Sequence, residues 1–300
     1  MRALVISGGG SKGAFAGGVA EYLIRDLGHH YEIFVGTSTG SLLIPLLSIG
    51  EIDKIKAVYC NVSQKDIFSV CPFDITKESD GVFKSKINYW SILRQVIQKR
   101  KTFGESKNLR KLIKKTISEK DFNEIIKQGK KVITTVSNLT LNIVEYKYAR
   151  DNKYEDFLDW IWLSANLVPF MSLEKKNGFE YADGGFGNVV PVQEAINIGA
   201  TEIDVIILNP RHKMTRNKDA GNAFGVLTKS LNFMLQQISH YDVYISLLEG
   251  RYDDNVRINL IHTPRMLTQD SFIFDKHQMT GWWQEGYDYA KAKYPQNIKR

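Results

Sequence analysis

The sequence predicts an α/β fold with a mostly parallel central sheet and helices on both faces. Three observations carry this expectation. Short β-prone runs alternate with helical patterns along most of the chain, and glycine-rich turns close the first two of those runs. The composition, 43% hydrophobic and 24% charged over 300 residues, is that of an ordinary globular chain able to bury a sizeable core. One large domain over residues 1–300, carrying an insertion at 50–131, fits that length.

The elements follow in order. Arg2 to Ser7 is a β-prone run that ends in Gly8-Gly9-Gly10-Ser11-Lys12-Gly13, after which Ala14, Val19, Leu23 and Leu27 recur at helical spacing. Tyr31 to Val35 is a second strand, and Gly36-Thr37-Ser38-Thr39-Gly40 turns it into an apolar helix from Ser41 to Ser48. Two strands joined by a helix make a βαβ unit, parallel and right-handed by the general rule. From about Gly50 to Lys131 lysine-rich amphipathic segments, such as Asn88 to Lys101 and Leu109 to Glu119, replace the alternation and read as a helical cap. Alternation resumes with strands Lys131 to Ser137 and Asn142 to Tyr148, a helix Tyr154 to Asn166, and a short strand Phe179 to Ala182. Pro191 opens a helix to Ile198, followed by strand Ile203 to Leu208. A long helix from Asn222 to Glu249, a strand from Val256 to Ile261 and a helix from Asp275 to Lys293 complete the chain.

Several classes are disfavoured. The longest uncharged apolar run, Ile33 to Ile49, is broken by glycine, serine and threonine well short of the roughly 20 residues a bilayer span needs. The first residues lack the apolar core of a secretory signal, so a cytoplasmic location is expected. Two cysteines, Cys60 and Cys71, offer neither a disulfide framework nor a zinc pattern, and no metal is expected.

Gly8, Gly10 and Gly13 form a G-x-G-x-x-G pattern between a strand and a helix, as in dinucleotide-binding folds. That reading fails at the next strand, whose C-terminal end carries Gly36-Thr37-Ser38 where a ribose-binding acid is required. A P-loop fails too, because Lys12 precedes Gly13 instead of following a glycine. Gly36 to Gly40 matches G-x-S-x-G, a sharp strand-to-helix turn that presents Ser38 at a helix N-terminus, where the dipole favours developing negative charge. Since the first two strands are parallel, the loop at 8–13 and the turn at 36–40 emerge at one sheet edge, so amides of Gly9, Gly10 and Ser11 can face an oxyanion formed at Ser38. Lys12 either adds positive charge there or is simply solvated.

A serine nucleophile needs a base. Of six histidines (29, 30, 212, 240, 262 and 277), His262 is the best placed for a triad, just after a strand. Asp183 is the stronger candidate, following the strand Phe179 to Ala182 and preceding Gly184-Gly185. To act as a base it must accept a hydrogen bond from Ser38 in a partly desolvated site.

These elements together resemble the patatin-like phospholipase family, with its glycine-rich oxyanion loop (here Gly8, Gly9, Gly10, Ser11, Lys12 and Gly13), its G-x-S-x-G nucleophile (here Gly36 to Gly40 around Ser38) and its D-G-[GA] base (here Asp183, Gly184 and Gly185). Ser164 to Phe170 also resembles the family's small-residue segment before the base. The resemblance implies a three-layer fold, a Ser38–Asp183 dyad without histidine, no cofactor, and hydrolysis of lipid acyl esters. Acyl transfer, thioester hydrolysis and a silent lipid-binding module are the alternatives. Thr39 departs from the family's usual alanine and is expected to narrow the acyl site.

Trp160 and Trp162 are expected in the core, whereas of the adjacent Trp282 and Trp283 only one is expected to point inward. The net charge of +7 also has an address. Lys84 to Lys131 holds 15 basic and 4 acidic residues, leaving the rest of the chain net acidic by four. The excess therefore suits contact between the cap and an anionic membrane surface or an anionic regulator better than nucleic acid, with a merely solvated helical surface as the alternative.

Overall fold

In the computed structural model, which describes residues 1–77, 83–211, 219–252 and 255–295, the first elements follow the expected order. They are β1 (Arg2–Ile6), α1 (Gly13–Glu21), β2 (Ile33–Thr37) and α2 (Thr39–Ser48). The cap contributes α3 (Ile52–Tyr59), α4 (Gln64–Ile67), β3 (Phe73–Lys77), β4 (Phe83–Ile87), α5 (Tyr89–Ile97), α6 (Lys107–Thr116) and α7 (Glu119–Lys127). Then come β5 (Lys131–Asn138), β6 (Ile143–Tyr148), α8 (Tyr154–Ser164), β7 (Glu174–Lys176), β8 (Phe179–Asp183), α9 (Val192–Asn197), β9 (Glu202–Ile207), α10 (Ala223–Tyr252), β10 (Arg257–His262) and α11 (Lys276–Lys293).

The main sheet runs β10-β9-β1-β2-β5-β8-β7, with β6 also paired to β5. From β10 to β5 every pairing is parallel, and β6, β7 and β8 add antiparallel pairings at one side. Alternation along β1 feeds two cores. Leu4 and Ile6 pack with residues of α1, α2, α8 and α11, whereas Ala3 and Val5 pack with α9 and the inner face of α10. This is the three-layer arrangement of a buried parallel sheet. Among the described residues no helix is long and apolar enough to cross a membrane.

Two expectations need correction. The cap is not purely helical, because β3 and β4 form an antiparallel hairpin with Phe73 opposite Ile87 and Lys77 opposite Phe83. Both strands are short enough for their two-residue alternation to be overlooked beside the helical segments around them. Trp282 and Trp283 are both buried, because α11 is enclosed on two sides. Trp283 packs onto Gly17 and Gly18 of α1 and donates its indole N–H to Glu21 Oε2 at 2.6 Å, while Trp282 turns toward a cavity. Trp160 and Trp162 are buried as expected.

Candidate active site

Ser38 stands alone between β2 and α2, at φ 55° and ψ −118°, a backbone conformation that L-residues rarely adopt. Its neighbours make this turn possible. A Cβ on Gly40 would collide with the carbonyl oxygen of Ile6, so only glycine lets α2 start this close to β1. The register Ile6 opposite Gly36 then brings the β1 loop and the serine turn out at the same sheet edge.

A buried hydroxyl network holds the turn from behind. The Ser38 amide donates to Ser164 Oγ at 3.0 Å, and Ser164 and Thr134 both contact Ser41 Oγ, at 2.8 and 2.5 Å. Ser41 donates in turn to the Gly36 carbonyl at 2.8 Å. Each hydroxyl thus has a partner, as a buried polar network requires.

Asp183 ends β8. It lies opposite Val136 on β5, whose Thr135 lies opposite Thr37 on β2, so one strand separates it from the serine turn. Its amide donates to the Asn166 carbonyl at 2.9 Å. The segment from Ser164 to Asn166 therefore fixes the backbone on both sides of the site. The Asp183 side chain is 4% exposed. Burial pushes its carboxyl up to about 6, and hydrogen bonds from the Ser38 hydroxyl and the Gly185 amide, the latter at 2.8 Å, hold it from rising further.

The glycine loop divides its amides. Gly8 N–H donates to the Val189 carbonyl and Ser11 N–H to the Ser271 carbonyl, each at 3.0 Å. Those two are already engaged, which leaves Gly9 and Gly10 as the loop amides with no such bond among the described residues. Gly10 has φ +58°, and a Cβ there would strike Ser271. The Gly13 amide caps the following turn onto the carbonyls of Gly10 and Ser11. Lys12 is neither solvated nor loose, since its Nζ donates to Asn209 Oδ1 at 2.9 Å and the residue is nearly buried. Gly184 and Gly185 form a tight turn behind Asp183.

Ser38, Asp183, Gly8, Gly9 and Gly10 open on one cavity of about 1820 Å³. Cap residues such as Leu109, Ile113 and Ile117 make one wall apolar, while Asn209, Asn232, Gln236 and Arg265 make another polar. His262 is not brought to this site. It terminates β10, three strands from β2 and thus roughly 14 Å away, and contacts the Asn209 carbonyl at 3.1 Å. His212 lies outside the described residues. Among the described residues no group of three metal-ligating side chains is assembled.

A family model described as patatin-like phospholipase matches residues 4–196, well over half of the chain. The chain belongs to the patatin-like phospholipase family. The fold is similar to the crystal structure of VipD from Legionella pneumophila, at 14% identity and a TM-score of 0.52, covering 97% of this chain and 66% of that one. The chain thus spans just under two thirds of that relative's length. No curated protein matches significantly.

The family match ends before β9, so α10, α11 and the loop between β10 and α11 complete this patatin-like cavity from outside the matched region. Thr39 turns its hydroxyl toward Tyr59 of α3, 2.7 Å away, and the Tyr59 hydroxyl donates to the Thr39 carbonyl at 3.1 Å. The β-branched residue thereby links the serine helix to the cap. Sequence reasoning also missed Asp242 on α10, whose Oδ2 accepts the amides of Val189 at 2.7 Å and Val190 at 2.9 Å. Burial pushes its carboxyl up to about 6. It braces the segment that receives Gly8, and a lone acid in the long apolar stretch between Lys229 and Glu249 was the available signal.

Proposed function

We propose that the protein is a lipid acyl hydrolase that cleaves carboxylic esters through an acyl-serine intermediate on Ser38, with Asp183 as the base. The observation that carries this reading is the placement of Ser38, on its strained turn, and the buried Asp183 on one cavity, with burial raising the affinity of Asp183 for a proton. Family membership supports lipid acyl esters as the substrate class, and the apolar wall of the cavity suits an acyl chain.

Asp183, ionised, takes the hydroxyl proton as Ser38 Oγ attacks the ester carbonyl carbon. The amides of Gly9 and Gly10, with the N-terminal turn of α2, face the negative charge that develops on the carbonyl oxygen. When the tetrahedral intermediate collapses, the C–O bond to the alcohol breaks and Asp183 returns the proton to that oxygen. Water then attacks the acyl-serine, gives its proton to Asp183, and releases the fatty acid as Ser38 recovers a proton. Lys12, held by Asn209, adds fixed positive charge behind the loop. Peripheral contact with an anionic membrane surface belongs to the same reading, since that is where such substrates reside.

The test is hydrolysis of a fluorogenic acyl ester and of phospholipid vesicles by purified protein. Ser38→Ala and Asp183→Asn should each lose activity by about a thousandfold or more. Full activity in either variant would refute the dyad.

A further inference from the structure

Helix α5 is attached to the body by few buried residues, Ile92 and Gln95 among them, and turns the rest of its apolar surface outward. Trp90 is 82% exposed and Ile97 71%, with Leu93 between them on the same helical face. The N-terminal end of α10 continues this surface. Asn222 donates to the Tyr89 hydroxyl at 2.9 Å, the rings of Tyr89 and Phe224 meet at 6.1 Å, and Val226 and Leu227 are exposed just beyond. Tyr89 and Phe233 line the cavity yet stay more than half exposed, so the two helices form its rim. Residues 83–104 carry six basic side chains and no acid.

We infer that the α5–α10 rim is the surface by which the protein docks on an anionic lipid bilayer, with Trp90, Leu93 and Ile97 entering the interface and Arg94 and Lys99 meeting the headgroups. This rests on the hydrolase reading and assigns its membrane contact to particular residues. Three features favour a bilayer as the occupant. A protein seated on the rim would close the opening through which an acyl ester must reach Ser38. The pairing of a tryptophan and aliphatic face with flanking lysine and arginine is that of a helix lying in the interface. Finally, Arg94 and Lys99, which make no ion pair among the described residues, complement anionic headgroups, whereas Arg100 and Lys101 pair with Glu105 and Glu180. The α6 face is less suited, because Arg110 is engaged bidentately by Asp159 at 2.8 Å and Lys114 by Glu155.

Trp90 supplies its own reporter, because the other four tryptophans are buried. The experiment uses the full chain carrying Ser38→Ala, so that no lipid is consumed. It is mixed with vesicles of phosphatidylcholine alone or with phosphatidylserine, with and without brominated acyl chains. Docking predicts a blue shift and bromine quenching of Trp90 on the anionic vesicles, with partitioning roughly tenfold weaker on neutral ones. Trp90→Ser with Ile97→Ser should weaken vesicle co-sedimentation about tenfold or more. In the Ser38 background the same pair should leave hydrolysis of a water-soluble short-chain ester unchanged. An unshifted Trp90 on both vesicle types would overturn the inference. So would protection of Trp90 without lipid in a species of dimeric mass, which would assign the rim to a second copy of the chain. Docking without hydrolysis of the soluble ester by the wild type would instead sink the hydrolase reading and leave the rim assignment standing.

Discussion

In the proposed mechanism Asp183 can serve as a base because burial removes it from water. In the native state burial raises its carboxyl to about 6, so the ionised, proton-accepting form dominates only above that pH. The kcat/KM profile on a soluble ester should therefore rise with pH through a single ionisation near 6 and level off above it. A profile flat from pH 4.5 to 8 would contradict the assignment. The same shift has a cost in stability. The native carboxyl holds its proton more tightly than the unfolded chain does, so the stability present at low pH declines as pH rises from the ordinary aspartate range through about 6. Asparagine carries no such charge. Asp183→Asn should be inactive yet no less stable than wild type at pH 8, with a gain of at most about 3 kcal/mol by urea denaturation. Ser38, Asp183 and the glycines around them were legible in the sequence because steric and chemical demands leave few residue types possible there. The division of labour among the loop amides was not legible, because it depends on Val189 and Ser271, distant in the chain and unremarkable in type.

Among the elements, those that brace the site are less visible in sequence than those that compose it. Asp242 on α10 binds the amides of Val189 and Val190, and Val189 in turn receives Gly8. Asp242→Ala would leave both buried amides unpaired, costing about 1–3 kcal/mol of stability and lowering kcat through the displaced loop, whereas Asp242→Asn should recover part of both. Equal kcat in the alanine variant and the wild type would separate this brace from catalysis. The Thr39–Tyr59 pair couples α2 to α3 in the same way. Tyr59→Phe removes two hydrogen bonds at once and should cost about 1–2 kcal/mol, measurable as a lower urea midpoint at unchanged slope. Helix α11 illustrates the limit of periodicity. Its adjacent tryptophans are both buried because α1 offers Gly17 and Gly18 on one side and the cavity wall lies on the other, a tertiary arrangement that a single-helix pattern does not contain.

On the scale of the whole molecule, the order of strands and helices is readable wherever period-two and helical patterns alternate in long runs, from β1 to α2 and again from β5 to β9. The antiparallel side of the sheet and the cap hairpin were less readable, because segments as short as Glu174–Lys176 or Phe73–Lys77 carry too few residues to establish a period. The net charge follows the same division. Part of the basic excess of the cap is answered by acids elsewhere, as in Arg110 with Asp159 and Lys114 with Glu155, so composition alone overstated the cationic surface. The fold brings three distant stretches, at residues 8–13, 36–40 and 183–185, to one cavity, and the central claim is that they make Ser38 a nucleophile. The most direct measurement is labelling by a fluorophosphonate, followed by peptide mass spectrometry. The account predicts one adduct per chain, located on Ser38, absent from Ser38→Ala and strongly slowed in Asp183→Asn. Labelling that is undiminished in Ser38→Ala, or ester turnover by a wild type whose Ser38 stays unmodified, would contradict it.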